Sequence, residues 1–179
     1  MKLLASLCFF WALAFNSLAQ ANVQLSMTDS SNLVDMYQEV LSKNQIGVVF
    51  TYGQWYSCGE TQADLIYLGE IHSTRGVYKI MTSNFSWGLS RRATCRILVF
   101  NQGNRLLGNY YVEMSDLPEK IEGNELVFLH STDLDCDQNL QTRISFKKGI
   151  PKRIFIECIA NSGQVYTFDR DYPKFVLKE

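Results

Sequence analysis

The chain has 179 residues, a formal net charge of −1 and 46% hydrophobic residues. This length is close to that of a single domain, which buries roughly two thirds of the surface of its unfolded chain. The near-neutral charge gives no electrostatic reason to expect nucleic acid or an anionic membrane as a partner.

The N-terminus has the pattern of a cleavable signal peptide. Lys2 precedes an apolar run from Leu3 to Phe15, and Ala19-Gln20-Ala21 forms an A-x-A cleavage site. The run is shorter than the roughly 20 apolar residues that a membrane span requires, and no second run follows. We therefore predict a signal peptide over residues 1–21, one domain over residues 22–179 without a membrane span, and export to the periplasm or the extracellular medium.

Four cysteines follow the predicted cleavage site: Cys58, Cys95, Cys136 and Cys158. Oxidising compartments favour disulfides, and an even number of cysteines in an exported chain predicts two bridges. Four cysteines allow three pairings, of which we predict Cys58–Cys95 and Cys136–Cys158 because neighbouring strands tend to lie together. No two cysteines have the close spacing of zinc ligands, so no metal or cofactor is predicted.

One helix is predicted at about residues 30–44. Asp29, Ser30 and Ser31 offer N-cap oxygens. The apolar residues that follow recur at helical spacing and form one stripe: Leu33, Met36, Tyr37, Val40 and Leu41. This stripe must be buried, so we expect the helix to pack on a sheet or to cover the end of a barrel.

From Ile46 onward, short β-branched and aromatic runs alternate with turn residues. The connections are too short for helical crossovers, which indicates an antiparallel meander of about seven to nine strands that forms a single β-barrel or sandwich. Residues 83–93, which include Trp87 and Arg91-Arg92, are the longest stretch without a clear strand period. The predicted runs are 47–56, 64–72, 76–81, 94–100, 105–113, 125–130, 142–147, 152–159 and 164–169.

Gly53-Gln54-Trp55, at the end of the first predicted strand, resembles the G-x-W element that opens a lipocalin barrel. The resemblance implies that Trp55 packs across the closed end of such a barrel. The resemblance is limited to these three residues and to the general order of a helix followed by a meander. The chain lacks the family's later Thr-Asp-Tyr triplet in a matching place, and its helix precedes the strands. The alternative interpretation of Trp55 is that it packs in the core.

The loop after residue 130 has the spacing D-x-D-x-D-x-N, formed by Asp133, Asp135, Asp137 and Asn139. Alternating oxygen ligands are typical of calcium loops. However, Gln138 occupies the position of the turn glycine, and Ile144 occupies that of the bidentate glutamate. A solvated acidic turn held by Cys136 is the alternative interpretation.

Glu70 and His72 share one face of a predicted strand, as residues two apart do, and form a possible acid–base pair. Ile66 and Leu68 precede them on that face, and no nucleophile is visibly coupled to the pair. The only other histidine is His130.

Aromatic residues are plentiful, and in exported β domains they often line ligand sites. Trp55, Trp87 and Tyr110 are the candidate ligand-binding residues. We interpret the chain as an exported, non-enzymatic recognition domain that binds a small ligand or a protein. The alternatives are a hydrolase that uses Glu70 and His72, and a structural protein associated with the cell envelope. An open interior would favour a ligand, and a filled interior with an exposed aromatic patch would favour a protein.

Overall fold

The computed structural model describes residues 30–56, 60–129 and 135–172, and in these ranges the chain forms ten β-strands and one α-helix. The prediction of a mainly β protein with one N-terminal helix is confirmed. The predicted signal peptide, residues 1–21, lies outside the described residues. Within the described ranges, the single α-helix is too short and too polar to cross a lipid bilayer.

The elements have the following bounds. The α-helix α1 spans Ser30–Lys43, and a short 3-10 helix spans Met114–Asp116. The strands are β1 Val49–Gly53, β2 Gln62–Ser73, β3 Gly76–Trp87, β4 Arg92–Asn101, β5 Leu106–Val112, β6 Lys120–Glu122, β7 Glu125–Leu129, β8 Gln141–Ser145, β9 Arg153–Ile159 and β10 Ser162–Asp169.

The strands form two antiparallel sheets. The larger sheet has the order β1-β2-β3-β4-β5-β10-β9, and the smaller has the order β6-β7-β8. The first five strands follow the predicted meander, but β10 pairs with β5 where a meander would place β6. The prediction of a single meander is therefore wrong, because β6, β7 and β8 form their own sheet before the chain returns to the larger sheet.

Sequence patterns missed parts of this architecture. The three-residue strand β6 was not predicted, and β3 continues through Trp87, six residues beyond its predicted end. The extension includes Ser83 and Ser86, which are buried even though serine is a polar residue. Because both faces of this part of β3 are covered, its residues do not alternate between apolar and polar, and the period of two is lost.

The larger sheet has an apolar cluster on each face. The inner cluster joins the two sheets, and the outer cluster joins α1 to β2, β3 and β4. The inner cluster contains Leu68, Ile71, Ile80, Cys95, Ile97, Val99, Tyr110, Val112, Leu126, Phe128, Phe146, Ile154 and Ile156. The outer cluster contains Met36, Tyr37, Val40, Leu41, Ala63, Leu65, Tyr67, Met81, Phe85, Leu98 and Phe100. The apolar stripe of α1 is therefore buried against the sheet, as predicted.

Gly108 allows β10 to join β5. Its φ of +146° is unfavourable for residues with a side chain, and a Cβ atom at this position would lie 2.3 Å from the backbone oxygen of Asp169. Phe168 and Asp169 pair with Tyr110 and Asn109 next to this glycine. A residue without a side chain is thus required where the returning strand meets the sheet.

Cys136 and Cys158 form a disulfide with a Cα–Cα distance of 4.6 Å. It ties the acidic loop to β9, as the predicted pairing requires. Cys95 is a free, buried thiol on β4, so the predicted Cys58–Cys95 bridge is not formed in this structure, and Cys58 lies outside the described residues.

We expect Cys95 to resist alkylation in the folded protein. Burial, and to a lesser extent the charge of Glu113, raise the pKa of its thiol to about 11, and its Sγ atom lies 3.5 Å from Oδ1 of Asn84. Since the thiolate is the nucleophile, iodoacetamide at pH 8 should modify Cys95 only after unfolding in urea. Peptide mass spectrometry measures this. Rapid labelling of the folded protein, or a peptide in which Cys95 is bonded to Cys58, would contradict it.

Candidate functional site

Two segments that are far apart in sequence meet at one end of the larger sheet. Trp55, which follows β1, donates a hydrogen bond from Nε1 to the carbonyl oxygen of Gly88 at 2.8 Å. Gly88 and Arg91 have positive φ values of 70° and 50° and belong to the tight turn between β3 and β4. The bond therefore fixes the first tryptophan beside this turn.

Each tryptophan at this end of the sheet lies beneath an arginine. The guanidinium carbon of Arg91 is 5.3 Å from the ring centre of Trp55, and that of Arg92 is 5.7 Å from the ring centre of Trp87. Trp87 is oriented by a hydrogen bond of 3.0 Å from its Nε1 to Oγ1 of Thr94. Both arginines are therefore held over a flat ring by cation–π attraction.

Neither arginine has a carboxylate within 4 Å among the described residues. Both arginines are exposed, as their positions at the end of the sheet allow. A guanidinium group carries five N–H donors, and stacking on a ring leaves its edges able to bind oxygen atoms. The arrangement thus presents two positive charges with no acidic partner in the described part of the chain.

Two exposed side chains with large apolar groups are close to the tryptophans and arginines in sequence: Leu89 precedes Arg91, and Tyr56 follows Trp55. Leu89, in the turn, is 74% exposed, and Tyr56 is 47% exposed. We refer to this surface as the aromatic–arginine patch and define it as Trp55, Tyr56, Trp87, Leu89, Arg91 and Arg92. A group of exposed apolar side chains bordered by charge is typical of an interaction surface.

The three predicted ligand-binding residues do not lie together. Trp55 and Trp87 belong to the patch, whereas Tyr110 is fully buried in the inner cluster. The Tyr110 hydroxyl donates a hydrogen bond to the carbonyl oxygen of Pro151 at 2.5 Å, and its ring lies 5.1 Å from that of Phe168. Burial raises the pKa of Tyr110, which therefore stays protonated as an internal hydrogen-bond donor.

Side chains of the inner cluster come from both sheets and join them. A cavity of about 260 Å³ opens at one end, between β2, β3 and the segment that follows the 3-10 helix. Ile66, Leu68 and Leu117 line it together with Thr82 and Glu119. Its volume lies below the usual range of ligand pockets, roughly 300–1,000 Å³.

Glu70 and His72 are exposed on the outer face of β2. A β-bulge between Tyr67 and Gly69 shifts the register, so Leu68 remains in the inner cluster while Glu70 and His72 turn outward. The prediction that Glu70 and His72 share a face with Leu68 is therefore wrong. Nζ of Lys79 lies 3.8 Å from Oε1 of Glu70.

The acidic loop is only partly described, since His130 and Asp133 lie outside the described residues. Oδ1 of Asp137 accepts a hydrogen bond of 2.9 Å from the backbone N–H of Asn139, and the backbone N–H of Asp137 donates to the carbonyl oxygen of Cys158 at 2.8 Å. The described residues contain no group of three or more acidic, histidine or cysteine side chains placed to hold a metal ion.

The sequence analysis did not predict that the residues of the aromatic–arginine patch lie together. The pair Arg91-Arg92 and Trp87 occur in one segment without a strand period, which was a usable signal for an irregular, exposed turn. Leu89 gave no signal of its own, because a single leucine in a turn is common. The contact with Trp55 depends on the pairing of β1, β2 and β3 and could not be read from spacing.

Comparisons with protein families, curated proteins and solved structures found no match to this chain.

Proposed function

We propose that the protein is an exported, non-enzymatic recognition domain that binds a protein partner through the aromatic–arginine patch. The observation that carries this proposal is the pair of adjacent tryptophan–arginine stacks at an exposed turn, without a carboxylate partner in the described residues. The matching surface on the partner would present carboxylates to Arg91 and Arg92 and an apolar recess to Leu89.

The chemistry of the patch supports recognition of a protein. Tryptophan, tyrosine and arginine are the residue types that contribute most to binding energy in protein interfaces. The two guanidinium groups are already held on rings, so less side-chain entropy is lost when they bind. The described cavity beside the inner cluster has a volume of about 260 Å³, below that of usual ligand pockets, which supports a partner outside the fold.

The architecture and the compartment fit this proposal. We propose that the two antiparallel sheets, which share the inner cluster, pack against each other as a sandwich. The disulfide Cys136–Cys158 is compatible with an oxidising compartment, as export would provide. Turns at the ends of such sheets are common positions for binding residues because the sheets hold them rigidly.

The two alternative functions have less support. A hydrolase would need a nucleophile or an activated water beside Glu70 and His72, but among the described residues Glu70 has only Lys79 as an ionic partner. A structural envelope protein would need surfaces for assembly, and no observation on the described residues favours assembly over recognition of a separate partner.

The test is a comparison of two matched double variants. L89S/R92Q removes one exposed apolar group and one positive charge from the patch. V165S/R153Q removes the same kinds of group from the β9–β10 hairpin, where Val165 is 57% exposed and Arg153 is also exposed. A partner captured from the exported fraction of the host would be purified and titrated against each variant.

We expect L89S/R92Q to weaken binding of the purified partner roughly tenfold or more, and V165S/R153Q to leave it unchanged. Thermal unfolding of both variants would establish that they fold. Equal binding by wild type and L89S/R92Q would refute the proposal. So would a partner that loses affinity only for the β9–β10 variant.

A further inference from the structure

A groove lies on the outer face of the larger sheet, between α1, the β4–β5 hairpin and residues 170–172. Its volume is about 500 Å³, within the range of small-ligand sites. Val34, Phe100 and Leu106 provide apolar walls. Tyr37 and Tyr172 also line it, and their hydroxyl oxygens are 3.2 Å apart.

The charged side chains of the groove are mainly basic. Arg105, Arg170 and Asp171 are part of its lining. Behind Tyr172 lies Arg96 of β4, whose guanidinium carbon is 4.4 Å from the Tyr172 ring centre. In the described residues no carboxylate lies within 4 Å of Arg96. The single acidic group of the lining, Asp171, therefore does not balance the two arginines of the lining and Arg96 behind it.

Three buried polar atoms, one of which belongs to Arg96, lie on the outer face of the larger sheet. Nε of Arg96, Oγ of Ser83 and Nδ2 of Asn109 have no hydrogen-bond partner in the described part of the chain. Ser83 is directly opposite Arg96 in the β3–β4 register, and Asn109 is opposite Leu98, two residues further along β4. All three atoms can donate a hydrogen bond, and buried donors of this kind are costly unless an acceptor satisfies them.

The positive charge of Arg96 also reaches the Tyr37 hydroxyl. Burial raises the pKa of Tyr37 well above its ordinary value, the neighbouring Tyr172 adds to this, and Arg96 acts in the opposite direction. The two tyrosine hydroxyls therefore lie in the lining of the groove, and the Arg96 guanidinium lies behind Tyr172, outside that lining.

We propose that this groove binds a small amphipathic carboxylate, whose anionic group is bound by Arg96, Ser83 and Asn109 and whose apolar part lies against Val34, Phe100 and Leu106. A carboxylate supplies acceptor atoms only, which matches three donors, and its single negative charge matches one guanidinium. Because the ring of Tyr172 covers Arg96, binding requires the hydrogen bond between Tyr37 and Tyr172 to open. The site is separate from the aromatic–arginine patch.

The experiment titrates the purified protein with octanoate and with 1-octanol by isothermal calorimetry. The two probes share an apolar chain and differ in the anionic group. We expect octanoate to bind at least roughly tenfold more tightly than 1-octanol, since hydrogen bonds to charged groups are worth that much or more. R96Q should weaken octanoate binding roughly 10- to 100-fold and leave 1-octanol binding unchanged.

Two further variants keep the test decisive. S83A should weaken octanoate binding without lowering the melting temperature of the ligand-free protein, because it removes a buried group that has no partner in the described chain. R153Q, on the exposed side of β9, is the matched control for R96Q and should bind octanoate as the wild type does.

Equal affinity for octanoate and 1-octanol would overturn the proposal, as would unchanged octanoate binding by both R96Q and S83A. The chain continues beyond Tyr172 for seven residues that lie outside the described ranges. If a chain that ends at Tyr172 bound octanoate and the chain that ends at Glu179 did not, the groove would be assigned to the C-terminal segment, and the proposal would again be overturned. Binding by the chain that ends at Glu179 with the expected losses would support it.

Discussion

Replacement of Phe128 by alanine is expected to lower the free energy of unfolding by about 3–5 kcal/mol. Phe128 is 1% exposed and lies in the inner cluster, where β7 of the smaller sheet meets the larger sheet. Removing the ring forfeits its burial and leaves a cavity that the two sheets cannot fully close. Urea unfolding followed by tryptophan fluorescence measures the change.

Phe155 provides a matched control for Phe128. It lies on β9 opposite Val165 and is 43% exposed, so its ring points away from the inner cluster. Phe155→Ala should cost about 1 kcal/mol or less, because surface substitutions away from special features have small effects. Similar losses for both variants would contradict the placement of the inner cluster between the two sheets.

Removal of the disulfide by Cys136→Ala and Cys158→Ala is expected to lower the free energy of unfolding by about 3 kcal/mol. The bridge closes a loop whose ends are 22 positions apart, and this closure restricts the unfolded chain. Within the folded protein it holds the described part of the acidic loop against β9, where Asp137 also bonds to Cys158 through the backbone. Thermal and urea unfolding of the oxidised proteins measure the loss.

Reduction of the wild-type protein supplies the control for the disulfide. A reducing agent should lower the stability of the wild type to that of the double variant and leave the double variant unaffected. Cys95→Ala should retain the response to reductant, because Cys95 is a free thiol in the structure. A response that persisted in the double variant would mean that another bridge stabilises the protein.

The amino-acid sequence by itself was sufficient to predict the helix and the strands near the C-terminus. In α1, residues at helical spacing form one apolar stripe, and no other element competes for that pattern. Ile154 and Ile156 of β9 alternate with exposed neighbours because only one face of this strand is buried. Such patterns are local, so they could be recognised without knowledge of the rest of the fold.

Strands buried on both faces could not be interpreted in the same way. In β3, Met81 packs in the outer cluster while Ile80 packs in the inner one, and small buried serines follow them. In β2, the bulge beside Gly69 reverses the faces of all later residues, which moved Glu70 and His72 outward. A period of two cannot reveal a one-residue shift that is set by pairing with a neighbouring strand.

The candidate sites depended most on tertiary structure. Trp55 and Gly88 are 33 positions apart, and their contact follows from the register of β1, β2 and β3. Tyr37 and Tyr172 are 135 positions apart and meet because α1 and the residues after β10 lie on the same face of the sheet. The sequence by itself determined the helix, the alternating strands and a disulfide between neighbouring segments. The neighbours of Trp55, Arg96 and Cys95 were decided only by the tertiary structure. Strand register and the return of β10 to the larger sheet bring together residues that no local pattern connects.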